Sequence, residues 1–566
     1  MKSGDGLGPP PRMSAVASRH DVVVVGGGIA GLVAAGRAAE LGLSVVVLEQ
    51  GEGERYRCNT RYTGGTFHVG YTDVAKPAEE LLGVIEKATA GFSRPDVARA
   101  IASDAHRLVL WLQGQGVRFL NLGKYHTYVL APPSRTGPGL DWEGRGGDLM
   151  MQGLEANLVK RGGCVVRGTR AIGLDVSGAP VVRVLATQSG APVAFDADAV
   201  VLADGGFPAD PSLIREHISP VPEKLQQRNA RTSRGDALRM AQAVGGATVG
   251  MDCFYGHLLS RDAMTNDALW PRPYVDALAV AGIAVGPDGR RFADEGEGGV
   301  PLANAVARLP DPLSATLVFD HAVWMDAGTS PLIPANPHLP KAGGTFHEAG
   351  SIAELAKLIG VPVDALERTV ADYNAAVDAK ATAGLTPPRR ADKYAPAPIR
   401  NAPFYGLPLC AGITNTMGGI AVDGDGAVLD IHDRPIPGVF AAGAATGGLE
   451  GGPAIGYVGG LVKAVLGLRA AERIAAVRDE RSGAARAVPA VEPTRSYPMV
   501  HALVKYGHAL AIVAALACFA FGIAFALRDG AIAYAAAGLA VGALLYVLLK
   551  SYTELVSIIA DMMLAK

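Results

Sequence analysis

Over the first 240 residues, apolar runs alternate between strand-like and helix-like spacing. Asp21-Val22-Val23-Val24-Val25 is a continuous β-branched run, the pattern of a strand buried on both faces. It stops at Gly26-Gly27-Gly28, and Ile29-Ala30-Gly31 opens an apolar helix. Ser44-Val45-Val46-Val47-Leu48 is a second strand of the same kind. The alternation predicts a doubly wound sheet over residues 21–244. Between 245 and 395 the pattern changes: prolines are frequent, long apolar strands are few, and one helix stands out near Ile352–Leu358. Residues 396–475 return to the earlier pattern, from Arg400-Asn401-Ala402-Pro403-Phe404-Tyr405 to a helix near Arg473. Residues 1–20 read as a polar, disordered tail, and 476–496, charged and carrying Pro489 and Pro493, as a linker.

The last segment, 497–566, differs in kind. Gly507 to Leu527 and Ala531 to Leu549 carry no Asp, Glu, Lys or Arg and are separated by Arg528-Asp529-Gly530. A bilayer-spanning helix needs about 20 apolar residues, so the pair predicts a transmembrane hairpin. Lys505 before the first span and Lys550 after the second place both flanks on the cytoplasmic side. Ser551 to Lys566 has Leu555, Ile558, Ile559 and Met562 at helical spacing, as expected of a tail lying along the interface.

A formal charge of −2 over 566 residues gives no footprint for nucleic acid. Cys58, Cys164, Cys253, Cys410 and Cys518 are scattered, with no metal-ligand spacing. No metal site and no iron–sulfur cluster is expected on this chain, so electrons would have to leave through another protein or a diffusible acceptor.

The glycine turn carries the first chemistry. Gly26 permits a tight turn, Gly28 lets backbone approach a pyrophosphate, and Gly31, beside Ala30, lets the helix pack against the sheet with its amides aimed at phosphate. Glu49 ends the second strand about 20 residues on, where an acid meets ribose hydroxyls. The chain is expected to bind an adenine dinucleotide.

Cys58-Asn59-Thr60-Arg61-Tyr62-Thr63-Gly64-Gly65 resembles the segment that wraps the pyrophosphate in flavoproteins of the fumarate reductase and succinate dehydrogenase superfamily. Leu202-Ala203-Asp204-Gly205-Gly206-Phe207 resembles that family's second glycine turn, Gly235-Asp236-Ala237 its helix start, and Gly438 to Gly443 the strand closing the FAD site. The resemblance implies FAD, and an α/β fold: a Rossmann-like FAD-binding domain, 21–244 and 396–475, with an inserted α+β cap at 245–395 and the C-terminal two-helix membrane hairpin. It implies cofactor contacts from Asn59, Thr60, Arg61, Gly64, Gly65, Asp204, Gly205, Asp236, Gly443, Ala444 and Gly459. No histidine stands within Asn59–Thr63 to tether the flavin covalently; the nearest is His68.

The same resemblance guides the reactive end. His257 stands where fumarate reductases bind a substrate carboxylate, and Asn415-Thr416-Met417-Gly418-Gly419 replaces a histidine-led segment. Three family arginines are missing: none follows Glu295 within a turn, Trp324 stands for the proton donor, and Gly451 to Tyr457 carries none. Fumarate reduction is therefore not expected. Arg290 to Glu297, Pro403-Phe404-Tyr405 with Ala411-Gly412-Ile413-Thr414, and Gly456-Tyr457-Val458-Gly459-Gly460 resemble the tricarballylate dehydrogenase branch, which also holds a precorrin-3B synthase flavoprotein. That implies oxidation of a C–C bond in a small polycarboxylate, with hydride passing to flavin N5. Tyr457, His257 and Arg135 are the catalytic candidates, Arg61 is a further cation, and His257, Asn415 and Thr416 are the substrate contacts. A tyrosine acting as base would need an arginine nearby to lower its pKa. A 3-ketosteroid Δ1-dehydrogenase-like or precorrin-3B synthase-like flavoprotein, and an electron-carrier subunit, remain open alternatives. The tether implies a quinone, or a separate iron–sulfur and haem protein, as acceptor at the cell inner membrane, with the catalytic domain in the cytoplasm.

Overall fold

The computed structural model describes residues 18–134, 137–178, 180–330, 333–483 and 498–563. Its first sheet is built on the valine runs. Ser18–Val25 lies between Val45–Leu48 and Ala191–Leu202, parallel to both, with Val24 opposite Val47 and Val201. Pro435–Ala441 extends the sheet beyond Ala191–Leu202, and Cys164–Val166 beyond Val45–Leu48. Val22, Val23, Val24 and Val25 are all buried, and Ile29–Glu40 and Val465–Ser482 pack together against the sheet. The first strand begins at Ser18, three residues inside the expected tail.

The second sheet is organised by one long strand. Phe404–Thr416 pairs antiparallel with Phe254–Ser260, Thr316–Asp320 and His347–Ala349, and parallel with Gln226–Gln227. The sequence pattern gives 404–416 to the FAD-binding domain; in space it is the central strand of the cap sheet. Helices Ile352–Ile359 and Val363–Asp378 bury a smaller core around Leu355, Leu366 and Tyr373. The second of these helices escaped the sequence pattern because only Leu366, Val370 and Tyr373 mark its buried face.

Pro498–Asp529 and Ala533–Met563 are two long helices, and Tyr506–Asp529 and Ala533–Val556 are each long and apolar enough to cross a membrane. Each stretch rises about 36 Å at 1.5 Å per residue, against a hydrocarbon core of ~30 Å. They run antiparallel with backbones in close approach: a side chain at Gly522 would meet Gly538, one at Gly542 would meet Ala515, and one at Gly507 would meet Thr553. Their outward side chains are mostly exposed, so they are not core helices of the globular body. No break sets off an interfacial tail at Ser551. Lys550 pairs with Glu554 one turn on, the Thr553 hydroxyl donates to the Leu549 carbonyl, and the helix continues to Met563.

Candidate active site in a continuous cleft

One cleft runs from the first glycine turn to the cap sheet. At the dinucleotide end the backbone dictates the shape. Gly26 has φ +96°, and a Cβ there would lie 2.6 Å from Asp204 Cα. A Cβ on Gly31 would lie 2.0 Å from the Gly26 carbonyl oxygen, so the helix packs as tightly as its spacing predicts. Gly28 is different: a Cβ would meet nothing nearer than Thr60 Oγ1 at 3.6 Å, which leaves open space on the cleft side. The Thr60 hydroxyl accepts from Ile29 N at 3.1 Å and so caps the helix from across the cleft.

Gly26, Gly28, Ala30, Glu49, Asn59, Thr60, Gly64, Gly65, Asp204, Gly205, Asp236, Gly443 and Ala444 all line the cleft. Several are already engaged. Glu49 accepts from Gly27 N at 2.9 Å and Gly51 N at 2.8 Å; burial raises its pKa, and those two amides work against the rise. Asn59 joins two distant segments, accepting from Ala230 N at 2.9 Å and donating to the Thr414 carbonyl at 3.2 Å. Asp236 holds Arg170 through two bonds of 2.7 and 2.8 Å. Asp204 accepts from Ala237 N through Oδ2, while its buried Oδ1 has no hydrogen-bond partner among the described residues, and burial pushes its pKa up to about 7.

Three expected residues stand elsewhere. Arg61 turns away from the cleft and is fully buried against Asp148, with Glu155 at 3.7 Å and the Tyr56 ring at 5.0 Å. Asp148 is itself wholly buried, and a carboxylate in that position requires a cation. Thr416 is buried with its hydroxyl accepting from Phe207 N at 3.3 Å, one residue beyond Asn415 and on the opposite face of the strand. Gly459 packs on the His68 carbonyl and donates to Glu450, leaving Gly460 and Leu461 to face the cleft. Arg135 lies outside the described residues.

The opposite end gathers aromatic and charged groups from six segments. The Tyr255 and Tyr457 rings stack at 3.9 Å, His257 and Tyr274 at 4.3 Å, and His68 and Tyr71 at 4.9 Å. His257 Nδ1 lies 2.5 Å from Asp276 Oδ2, and Nε2 lies 3.0 Å from the Tyr255 hydroxyl. Arg228 donates to the Pro271 carbonyl at 3.0 Å and to Thr414 Oγ1 at 2.7 Å; burial lowers its pKa. Arg272 faces the cleft beside Gly64. Among the described residues, no carboxylate forms an ion pair with Arg228 or Arg272.

The Tyr457 hydroxyl accepts from Gly460 N at 3.0 Å. Its pKa is raised well above 10 by burial and by Tyr255, Glu450 and Tyr71; burial also pushes the Tyr255 phenol up, to about 12, with Arg228 beside it working against the rise. Glu450 fixes the Tyr457 loop, accepting from Val458 N and Gly459 N while paired with buried Lys463 at 2.6 Å. His68 Nδ1 accepts from Tyr71 N, and burial pushes its pKa down to about 4. Trp324 lies in an aromatic core with Phe346 and Tyr405, away from the cleft. Arg228, Arg272, Tyr255, Tyr274 and Asp276 were missed by the sequence reading. Only Tyr255 carried a local signal, two residues before His257 on a strand.

A family described as an FAD binding domain matches residues 21–456. The NADH:fumarate oxidoreductase of Klebsiella pneumoniae (strain 342) is 28% identical over 448 residues, 77% of this chain; the chain spans under half of that relative, 45%. The 4-oxocyclohexanecarboxylate 2-dehydrogenase of Sinomonas cyclohexanicum is 28% identical, covering 78% of this chain and 90% of that protein. In fold, the chain is similar to 3-ketosteroid Δ1-dehydrogenase from Sterolibacterium denitrificans, with TM-score 0.62, 22% identity, and 81% of this chain and 100% of that one covered. The chain belongs to the matched family, among the FAD-dependent oxidoreductases of the fumarate reductase and succinate dehydrogenase superfamily, and its cofactor is FAD. The residues fit that cofactor: the space at Gly28 opens onto the cleft, which Asp204 also lines.

Proposed function

We propose, with that membership as the premise, that the protein oxidises or reduces a C–C bond next to a carboxylate or carbonyl in a small anionic substrate. The observation that carries this reading is the pair Arg228 and Arg272, two guanidinium groups at the cap end of the cofactor cleft with no carboxylate partner among the described residues. A partly desolvated cation without a counter-charge is costly, and a bound carboxylate offsets that cost with charge-assisted hydrogen bonds. A steroid skeleton would leave both uncompensated. The same pair disfavours a pure electron carrier, which has no use for an anion clamp.

When bound, FAD supplies the two-electron acceptor or donor. The chain's own groups bind and orient. Arg228 and Arg272 hold the acid, His257 and Asn415 lie on the cap side, and the phenols of Tyr71, Tyr125 and Tyr457 wall the site. The helical run Leu461–Ala464 into Val465–Ser482 starts at the cleft, so its N-terminal amides favour negative charge developing there. A tricarballylate-like polycarboxylate suits the two arginines. The tyrosine walls and the 4-oxocyclohexanecarboxylate 2-dehydrogenase relative support a second substrate, a cyclic keto acid. The helical hairpin would hold the enzyme at the inner membrane, cytoplasmic side, within reach of a quinone or an iron–sulfur or haem protein.

The test is anaerobic bleaching of the flavin in detergent-solubilised holoprotein. Tricarballylate, succinate, 4-oxocyclohexanecarboxylate and a 3-ketosteroid are added in turn. Bleaching by a carboxylate and not by the steroid is the expected result; bleaching by the steroid alone overturns the reading.

A further inference from the structure

Five phenols line the cap end of the cleft, those of Tyr71, Tyr125, Tyr255, Tyr274 and Tyr457, and among the described residues only the Tyr255 hydroxyl is hydrogen-bonded to an imidazole there. Tyr255 and His257 leave the strand Phe254–Ser260 toward the cleft, and the loop after Tyr274 brings Asp276 behind them. Asp276 is fixed at both oxygens: Oδ1 accepts from Leu258 N at 2.8 Å, and Oδ2 lies 2.5 Å from His257 Nδ1. A carboxylate can only accept, so it holds the imidazole proton on Nδ1 and leaves the Nε2 lone pair facing the Tyr255 hydroxyl at 3.0 Å. Stacking on Tyr274 keeps the imidazole from swinging away. By contrast, the Tyr457 hydroxyl takes a backbone hydrogen bond from Gly460, and among the described residues no imidazole or carboxylate is hydrogen-bonded to it.

We infer that Tyr255 is the catalytic residue that exchanges a proton with the substrate, and that His257 and Asp276 are positioning residues that complete a proton relay behind it. The inference rests on the function proposed above. In the oxidative direction, the acidified C–H bond breaks, and its proton forms a new O–H bond at Tyr255 as the original phenolic proton moves to His257 Nε2. Bound FAD would accept the hydride from the neighbouring carbon, and the electron pair left by the proton would close the C=C bond. Imidazolium then stands against Asp276, and its proton is lost to solvent before the next turnover. Reduction runs the same steps backwards.

Five groups face His257: Asp276, Arg228, Arg272, Tyr255 and Tyr274. Burial, reinforced by the two arginines, outweighs Asp276 and lowers the imidazole pKa below 6.5. The relay is therefore loaded at neutral pH and fails on the acid side, once Nε2 is protonated.

The test uses holoprotein variants, each checked for bound FAD by its visible spectrum. The substrate is whichever carboxylate bleaches the wild type, with wash-in of deuterium at its acidified carbon as a second readout. Tyr255→Phe should retain FAD and lose bleaching and wash-in by roughly 10³-fold, within the range of a lost general acid–base group. Tyr457→Phe should lose less than about tenfold. Asp276→Asn should slow bleaching and move the acid limb of its pH profile to lower pH, because the group that raises the His257 pKa is gone. Bleaching by Tyr255→Phe within threefold of wild type, an equal loss in Tyr457→Phe, or an unmoved acid limb in Asp276→Asn overturns the relay and leaves the function standing. If no carboxylate bleaches the wild type, the function and the relay fall together.

Discussion

The two ends of the cleft are built by different rules. At the dinucleotide end the shape is backbone: Gly26 and Gly31 are glycine because other backbone atoms stand 2.6 and 2.0 Å from where a Cβ would be. Charged side chains there are mostly spoken for, Glu49 by two amides and Asp236 by Arg170. At the cap end the shape is side chain, and its charges are open or linked in a chain that ends on a reactive hydroxyl. A site that grips a fixed cofactor can be finished before the cofactor arrives. A site that performs chemistry keeps groups unsatisfied until substrate supplies the missing partner.

The contrast breaks most visibly at Gly31. Gly31→Ala must push the helix off the sheet, costing ~3 kcal/mol or more, and should yield no holoprotein. Gly28→Ala should leave the FAD-free protein within ~0.5 kcal/mol of wild type in a denaturant melt, yet weaken FAD binding by roughly tenfold or more. A Gly28→Ala variant that melts early would deny that its space is reserved for ligand.

Asp204 is the exception at the dinucleotide end, an acid still unsatisfied there. Its folded pKa of about 7 exceeds the ordinary 3.8, so the stabilisation it contributes is complete below about pH 4 and lost as pH rises through 7. Asp204→Asn should abolish that loss, gaining up to ~4 kcal/mol over wild type at pH 8 relative to pH 4 in urea unfolding of the FAD-free protein.

At the cap end, Arg272→Ala should keep FAD and lower kcat/KM for a carboxylate by about 10²-fold, chiefly through KM. Retained affinity for the carboxylate would remove Arg272 from the clamp. The smallest effect should come from Thr416→Val, which costs ~1 kcal/mol of stability and leaves kcat/KM within about twofold, since Thr416 faces Phe207 rather than substrate.

The same contrast explains what was legible in the sequence. Glycine spacing encodes a backbone path, so the turn at 26–31, the helix start at Asp236 and the parallel valine strands were readable from order alone. The hairpin was legible for a similar reason, since an uninterrupted apolar run can be read locally. A motif, however, names a segment and not the direction of each side chain. Arg61 sits in a cofactor segment and serves Asp148; Thr416 is one residue from Asn415 and points the other way. Asp276 and Arg272 gave no signal, because what they do depends on residues that approach them only in three dimensions.

The strand Phe404–Thr416 has a mechanical consequence. At about 3.3 Å per residue it is a rod of roughly 40 Å, clamped by ladders along its length, with Thr414 and Asn415 of the cleft at one end. Such a rod transmits force without storing it. Its tip runs on into Met417-Gly418-Gly419, where a Cβ on Gly418 would lie 2.0 Å from the Gly250 carbonyl oxygen and Met417 N donates to the Cys253 carbonyl. Thr414 and Asn415 are thus anchored on both sides, and the substrate end of the cleft inherits the stiffness of the whole sheet.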